Sequence, residues 1–450
     1  MFQNVERYPF PRPASNGMNK LSIFQVVLLL IFGVLGIAGV LIFAFATAGN
    51  NATSVGSVII WGDIDSKAMD AVLRQVADQN QDFDQVRYVK KDPATYESEL
   101  VNALADGSGP DLFILRQDYL LRNAGRIIPV PAASLPPAQF NTLFIDAANI
   151  FPGPSGALGV PIVADPLVLY WNKDTLSAAG YAKPPTTWAE VQSMGEKLQR
   201  RDDSGAIVKS AIAFGEYTNV TNAKDILTVL ILQAGGGIVA RDNSGRLIPA
   251  LLSGGSSGQA TESALRFYTE FANPSKSHYS WNRSLPESQK AFASGDVALY
   301  VGFASEGPTI ASMNPNLNFA VAALPQIENG DYAVDTARVY GISISRTARN
   351  QQGALAVALQ FATAGTGMAK NLGTALGIPS ALRDVLSAPA VGAPDIYKRG
   401  ALISRSWLDP DPAKTSAIFR AMIENITSGS LSLTDAVQRA NSELGGILGI

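Results

Sequence analysis

The run from Val160 to Trp171 is apolar except for Asp165, and a carboxylate inside such a run must find a partner or lose its charge. Whatever fold the chain adopts has to bring a donor there. Pro166 breaks the run, so the pattern predicts one strand over 160–164 arriving at a crossing and a second over 167–171 leaving it. Asp165 stands at the break, with two readings. It is a bend residue bonded to nearby backbone N–H groups, or a carboxylate turned toward a ligand at a hinge. Beyond the break, Asn172 and Asp174 cap a short helix over 174–179 that Gly180 closes. Thr187 with Glu190 three residues later forms a capping box for a helix running toward Leu198.

Gly159, Val160, Pro161, Asp165, Leu167, Leu169, Tyr170, Asn172, Lys173, Asp174, Pro184, Pro185, Thr187, Trp188 and Glu190 together resemble the extracellular solute-binding proteins of family 1, the ABC-importer receptors that include maltose-binding protein. The resemblance continues over about residues 57–448. GPDLFIL with Gly125 and Pro129 resembles the family's PDVV segment, and Phe292, Gly295, Val297, Ala298, Leu299 and Leu324-Pro325 match a later run. Gly377 and Pro379 carry a Gly-x-Pro signature. The resemblance implies an α/β, two-lobed periplasmic-binding-protein-like fold of type II with three interlobe crossovers, and a ligand bound between the lobes. In the family the acidic residue at the Asp165 position commonly bonds sugar hydroxyls. An aromatic residue just after the strand at 297–303 often stacks on the sugar. Phe303 is the candidate here, a core role is its alternative, and Ser305 stands closest to the family's usual tryptophan.

Read from the residues alone, the chain after position 50 alternates strand and helix patterns. A buried strand over 57–61 leads to a helix over 66–79 with Ala68, Val72, Val76 and Ala77 on one face, then to QVRYVK, a helix over 94–104 and the strand LFIL. The alternation predicts a largely parallel sheet with helices on both faces. Further helices are expected over 224–233, 261–271, 351–362 and 415–426, with a strand YGISIS entered at Tyr340 and Gly341. Ligands of open α/β sheets collect beyond the carboxyl ends of the strands. Trp61, Asp63 and Asp65 follow the first strand, and Arg116, Asp118 and Tyr119 follow LFIL. Asp63 and Asp65 serve equally well as caps of the first helix. Glu306 and Tyr340 belong to the segments expected at the cleft, and Trp407 and Phe419 are aromatic candidates whose alternative is the core.

Residues 21–48 contain no charged side chain, and as a helix at about 1.5 Å per residue they exceed a hydrocarbon core of about 30 Å. Arg7, Arg12 and Lys20 precede them against Glu6, and no charge follows until Asp63. The positive-inside rule then makes 1–20 a cytoplasmic tail, 21–48 a transmembrane anchor, 49–56 a linker and the rest extracytoplasmic, on the cell membrane. Ala46-Thr47-Ala48 offers a signal-peptide cleavage site instead, but the apolar stretch is far longer than such peptides carry. The chain has no cysteine, so it has neither disulfides nor the lipidated cysteine that anchors many relatives. Lobe I is expected over 55–163 plus 336–378, and lobe II over 166–332 plus 382–450.

A formal net charge of −3 gives no electrostatic footprint for nucleic acid. No metal-ligand spacing and no phosphate-binding glycine pattern is present, so no metal or cofactor is expected. The single histidine, His278 in SKSHYSW, reads as a solvated loop residue rather than a catalytic base. The expectation is a monomeric, membrane-anchored receptor, not an enzyme, that captures a mono- or oligosaccharide and delivers it to an ABC permease. Two alternatives stand beside it: a glycosidase using a pair among Asp63, Asp65, Asp165 and Glu306, and a sensor-coupled receptor for another solute.

Overall fold

In the computed structural model the described residues are 55–253, 258–328, 330, 332–363, 367–388 and 394–450. The expected anchor at 21–48 lies outside them, and among the described residues no helix is long and apolar enough to cross a membrane. Val55–Ile450 forms one compact unit. Its principal elements are β1 (Val58–Gly62), α1 (Ser66–Gln79), β2 (Val86–Lys90), α2 (Tyr96–Ala105), β3 (Leu112–Arg116), β4 (Val160–Asn172), α3 (Trp188–Leu198), β5 (Ile207–Ile212), α4 (Ala223–Gln233), α5 (Gln259–Glu270), β6 (Val297–Phe303), β7 (Phe319–Ala322), β8 (Asp335–Ser345), α6 (Gln351–Ala362), α7 (Met368–Leu376), α8 (Pro412–Thr427) and α9 (Leu433–Leu448).

Local signals set many of these bounds. The helix α1 buries Ala68, Met69, Val72, Leu73 and Val76 along one face. It starts where the Asp65 carboxylate accepts from the Ala68 amide at 3.0 Å, a cap whose loss costs about 1 kcal/mol. At α3 the expected capping box is present: Glu190 N donates to Thr187 Oγ1 at 3.2 Å while Glu190 Oε2 accepts from Thr187 N. The short helix after β4 runs over Lys173–Ala178.

Among the described residues one eleven-stranded sheet runs through both lobes, its main strands in the order β2-β1-β3-β8-β4-β6-β5 with β7 on β4, and the short strands Ile127–Ile128, Arg200–Arg201 and Ser404–Arg405 complete it. It is parallel within each half, at β1–β2, β1–β3 and β5–β6. It is antiparallel through the middle, at β3–β8, β8–β4, β4–β6 and β4–β7. The expected largely parallel sheet is therefore corrected to a mixed one. The two strands that pass between the halves run in opposite directions, so their neighbours cannot all be parallel.

The expected break at Pro166 is likewise absent, because β4 is a single strand from Val160 to Asn172. Its partner is β8 up to Pro166, then β6 and β7 from Leu167 onward. The proline falls at this handover, where a missing N–H costs the ladder little. Every residue of β4 from Val160 to Tyr170 is buried, since α6, α7 and the helix Asp395–Ile403 pack against it. Residues 379–381 run beside it as a further pass, with Ala164 N donating to Pro379 O and Ala381 N to Ile162 O. Gly341, at the register shift of β8, has to be glycine: a Cβ there would lie 2.3 Å from the ring of Phe151.

Candidate functional site

Past the carboxyl end of β3 the chain turns through Gln117–Tyr119, and this turn forms one wall of a cavity of about 500 Å³. Arg116, Asp118, Tyr119 and Arg122 line it from this side. The Arg116 guanidinium grips Asp118 with two bonds, Nε to Oδ1 at 2.9 Å and Nη2 to Oδ2 at 2.7 Å. Burial weighs against the Arg116 charge, but Asp118 outweighs it and the pKa stands above the ordinary arginine value. The Tyr119 ring lies 5.5 Å from the same guanidinium, and burial raises its hydroxyl pKa, with Asp118 adding to the shift.

The opposite wall comes from the start of α4 and the segment that leads into α8. Lys224 donates to Asp409 Oδ2 at 2.5 Å and to Thr415 Oγ1 at 2.7 Å. Asp409 is almost fully buried, and burial raises its pKa while Lys224 and Thr415 pull it back. Trp407 lines the cavity with the Lys224 ammonium 5.2 Å from its ring centre, and Phe419 stacks on it at 6.3 Å with a 17° interplanar angle.

Between the walls stands Arg338 of β8. Its guanidinium carbon lies 3.6 Å from the ring centre of Phe303, a cation–π contact. Its Nη2 donates to Asn222 Oδ1 at 3.2 Å and to Asp225 Oδ2 at 3.4 Å. Asn222 has φ 63°, the one positive value among described non-glycine residues, and its Nδ2 donates to Glu306 Oε1 at 2.7 Å. A backbone held in the left-handed region beside this cavity is strain that the surrounding contacts must offset. Here those contacts aim a side chain that meets both Arg338 and Glu306.

Of the residues the sequence singled out, Arg116, Asp118, Tyr119 and Trp407 line this cavity and the others do not. The ring of Trp61 is covered by Lys91 at 3.7 Å. Asp63 has its pKa raised, burial first, with Arg116 lowering it, and Asp65 caps α1. Asp165 is 1 % exposed, accepting from Ser305 N at 2.9 Å and Ser305 Oγ at 2.6 Å. Burial pushes its carboxyl up to about 6 against those bonds and Arg338. The donor that the apolar run demanded is thus Ser305. Glu306 is saturated by Tyr300 Oη, Gln289 Nε2, Asn222 Nδ2 and Phe303 N at 2.5 to 2.9 Å. Gly302 leaves room for it, since a Cβ there would meet its Oε2 at 2.7 Å. Phe303 and Phe419 are buried in the core, supporting Arg338 and Trp407 from behind. Tyr340, half-buried and paired with Arg116 in register, has its hydroxyl pushed up to about 12 by burial and then by Asp165. His278 is not solvated. It packs edge-on against Phe271 at 5.0 Å, and burial lowers its pKa.

Sequence reasoning passed over Arg338, Asn222, Lys224 and Asp409. Arg338 carried a signal like the one that flagged Asp165, a charge inside a buried-strand pattern, in DTARVYGISIS, whose other charge, Asp335, stands at the strand's start. Asn222 and Lys224 precede the apolar run ILTVLIL and look like an ordinary helix start.

The sequence profile of the family described as bacterial extracellular solute-binding protein matches residues 65–369. Among solved structures, the cyclic α-maltosyl-1,6-maltose binding protein from Arthrobacter globiformis is similar at a TM-score of 0.71 and 17 % identity, over 87 % of this chain and 98 % of that one. The GacH receptor of Streptomyces glaucescens, solved unliganded and with acarbose, gives 0.66 and 17 % over 87 % and 98 %. The maltose-maltodextrin binding protein of Alicyclobacillus acidocaldarius gives 0.64 and 16 % over 86 % and 99 %. At these identities the likeness is one of fold.

Proposed function

The chain belongs to the bacterial extracellular solute-binding protein family, and on that premise we propose that it is a membrane-anchored receptor that captures a carbohydrate between its lobes and hands it to an ABC permease. The observation that carries this reading is the cavity itself. One wall follows the end of β3 and the other is the start of α4, so a ligand there touches both halves of the sheet. Contacts made to both walls at once exist only when the walls are close. A solute that makes them shifts the open–closed equilibrium by its differential affinity, and the closed form is what a permease reads.

The chemistry of the walls suits a polyhydroxylated solute. Polar side chains accept and donate to hydroxyls, and the Trp407 ring, braced by Phe419, offers an apolar face to a sugar ring. Solved structures named for binding cyclic α-maltosyl-1,6-maltose, acarbose and maltose-maltodextrin support the same class. A micromolar receptor requires about −8.2 kcal/mol, which a few hydrogen bonds and one stacking face supply after ordering costs. The carboxylates on which a glycosidase reading relied are not among the residues lining the cavity, and those that do line it are held by Arg116, by Lys224 with Thr415, and by Arg338, which favours binding over hydrolysis. The uncharged segment 21–48 supports the anchor, with 1–20 in the cytoplasm, the lobes outside the membrane and the receptor acting as a monomer. In this reading lobe I is 55–163 plus 336–378 and lobe II is 166–332 plus 382–450, with residues 49–56 as the tether.

The test is a thermal-shift screen of the full chain against mono- and oligosaccharides, polyamines and amino acids, with product analysis on each hit. A saccharide at 100 times its dissociation constant is expected to add about 2.7 kcal/mol of stability and to be recovered intact. Cleavage of the sugar, or stabilisation only by a polyamine or amino acid, defeats the reading. Membrane fractionation of cells expressing the chain tests the anchor: recovery in the soluble fraction overturns it.

A further inference from the structure

The acids of the cavity are matched by cations of the same cavity, while guanidinium donors remain unspent. Both oxygens of Asp118 accept from Arg116. Both oxygens of Asp409 accept from Thr415, with Lys224 on one and the Asp411 amide on the other. These pairs cancel in charge. What remains is Arg338 beside Asp225 at 3.4 Å and Arg122 beside Glu97 at 3.8 Å, the two loosest of these pairs.

Arg338 is the better placed of the two. Only its Nη2 has hydrogen-bond partners among the described residues, at 3.2 and 3.4 Å, which leaves the donors on Nε and Nη1 for a ligand. Its plane rests on Phe303 at 3.6 Å and its side chain is 24 % exposed. A guanidinium held this way loses little rotamer freedom on binding, and its planar donors match a carboxylate. Arg122 lies further along the wall, its nearest acid being Glu97 at 3.8 Å. A neutral sugar hydroxyl brings a donor with its acceptors, whereas a carboxylate brings acceptors only.

We infer that the solute is a saccharide bearing a carboxylate, seated on the unspent donors of Arg338. The inference rests on the carbohydrate reading above and narrows it to acidic sugars. Asp225, which also lines the cavity, stays on Nη2, so the carboxylate takes the donors on Nε and Nη1. Lys224 and Arg116 remain with their own acids.

The experiment is calorimetric titration of the full chain with matched pairs, digalacturonate against galactobiose and cellobiouronate against cellobiose, and with glucose 6-phosphate, at low and high salt. At least one acidic member is expected to bind about tenfold or more tighter than its neutral partner, with the preference shrinking as salt rises. In Arg338→Gln the ratio of the two affinities is expected to fall toward one, and Arg338→Lys to lie between, because a ratio does not depend on how much of the variant is folded. Equal or tighter binding of the neutral members overturns the inference and leaves the carbohydrate reading standing. So does a sugar phosphate bound in preference to both acids, or an unchanged ratio in Arg338→Gln. Binding of no saccharide of any kind in the wider screen defeats the carbohydrate reading, and this inference with it.

Discussion

The two strands that pass between the lobes each carry one charged side chain in their interior, and Asp165 on β4 faces Arg338 on β8 in register. Their surroundings differ. Asp165 is sealed, with both oxygens taken by Ser305 from the turn after β6. Arg338 is long enough to carry its guanidinium across Phe303 to the cavity. A charge in a buried strand therefore announces that it has a partner, and the partner's position decides whether the charge is structural or reaches the ligand. A short side chain ends inside the layer where its strand lies, whereas a long one ends beyond it.

The largest effect that separates the two strands is a pH dependence. Because burial holds the Asp165 carboxyl at about 6, above its unfolded value, the folded state binds a proton more tightly than the unfolded chain. The stability tied to this group is thus fully present below about pH 4 and is lost as pH rises through 6, about 3 kcal/mol in all. Asp165→Asn removes the titration. Chemical denaturation of both proteins is expected to show the parent losing about that much relative to the variant between pH 4 and 7. A constant difference across this range would mean that Asp165 is not sealed, and the contrast with Arg338 would fail.

A double dissociation follows at about 2 kcal/mol. Ser305→Ala removes the 2.6 Å hydroxyl bond to Asp165 and leaves a buried carboxylate with fewer donors, so unfolding at pH 7 is expected to become easier by about 2 kcal/mol. Saccharide affinity, read by titration with whichever sugar the screen returns, is expected to stay within about twofold. Arg338→Gln is expected to do the reverse: under about 1 kcal/mol of stability, since its bonds are long and partly exposed, and a loss of affinity of tenfold or more. If both variants act on stability alone, Arg338 is structural too.

The same contrast explains what was legible in the sequence. The limits of α1 and the Thr187–Glu190 box could be read because cap and face lie within a few residues of each other. The continuity of β4 could not, because the cost of Pro166 depends on which strands pair on either side of it. The partner of Asp165 lies 140 positions away at Ser305, at the very place where the resemblance led one to look for a stacking tryptophan. For the cavity, the strand-end rule drew attention to Arg116, Asp118 and Tyr119, which line it, and equally to Asp63 and Asp65, of which Asp65 caps a helix. The rule locates a region, but hydrogen bonds within the region assign each side chain. Asn222, Lys224 and Asp409 gave no pattern at all, since their meeting depends on α4 and the segment before α8 converging in space.

The smallest expected effect tests whether the two strands are linked through Asn222. Its side chain joins Glu306, in the half-buried cluster with Tyr300 and Gln289, to Arg338 at the cavity, and its backbone is left-handed to do so. Asn222→Gly deletes both bonds but fits the backbone, whereas Asn222→Ala deletes the same bonds and also meets the steric penalty, about 1 kcal/mol. The difference in unfolding free energy between the two variants therefore isolates the strain. The glycine variant is expected to be the more stable by about that amount, with both below the parent because Glu306 loses a donor in each. On affinity the two are expected to agree, each a few-fold weaker than the parent, since Arg338 loses the same bond in both. Equal stability of the two variants would show that the backbone at 222 is not strained. Unaltered affinity in both would show that Phe303 and Asp225 suffice to aim Arg338, leaving the Glu306 cluster no say in what the cavity binds.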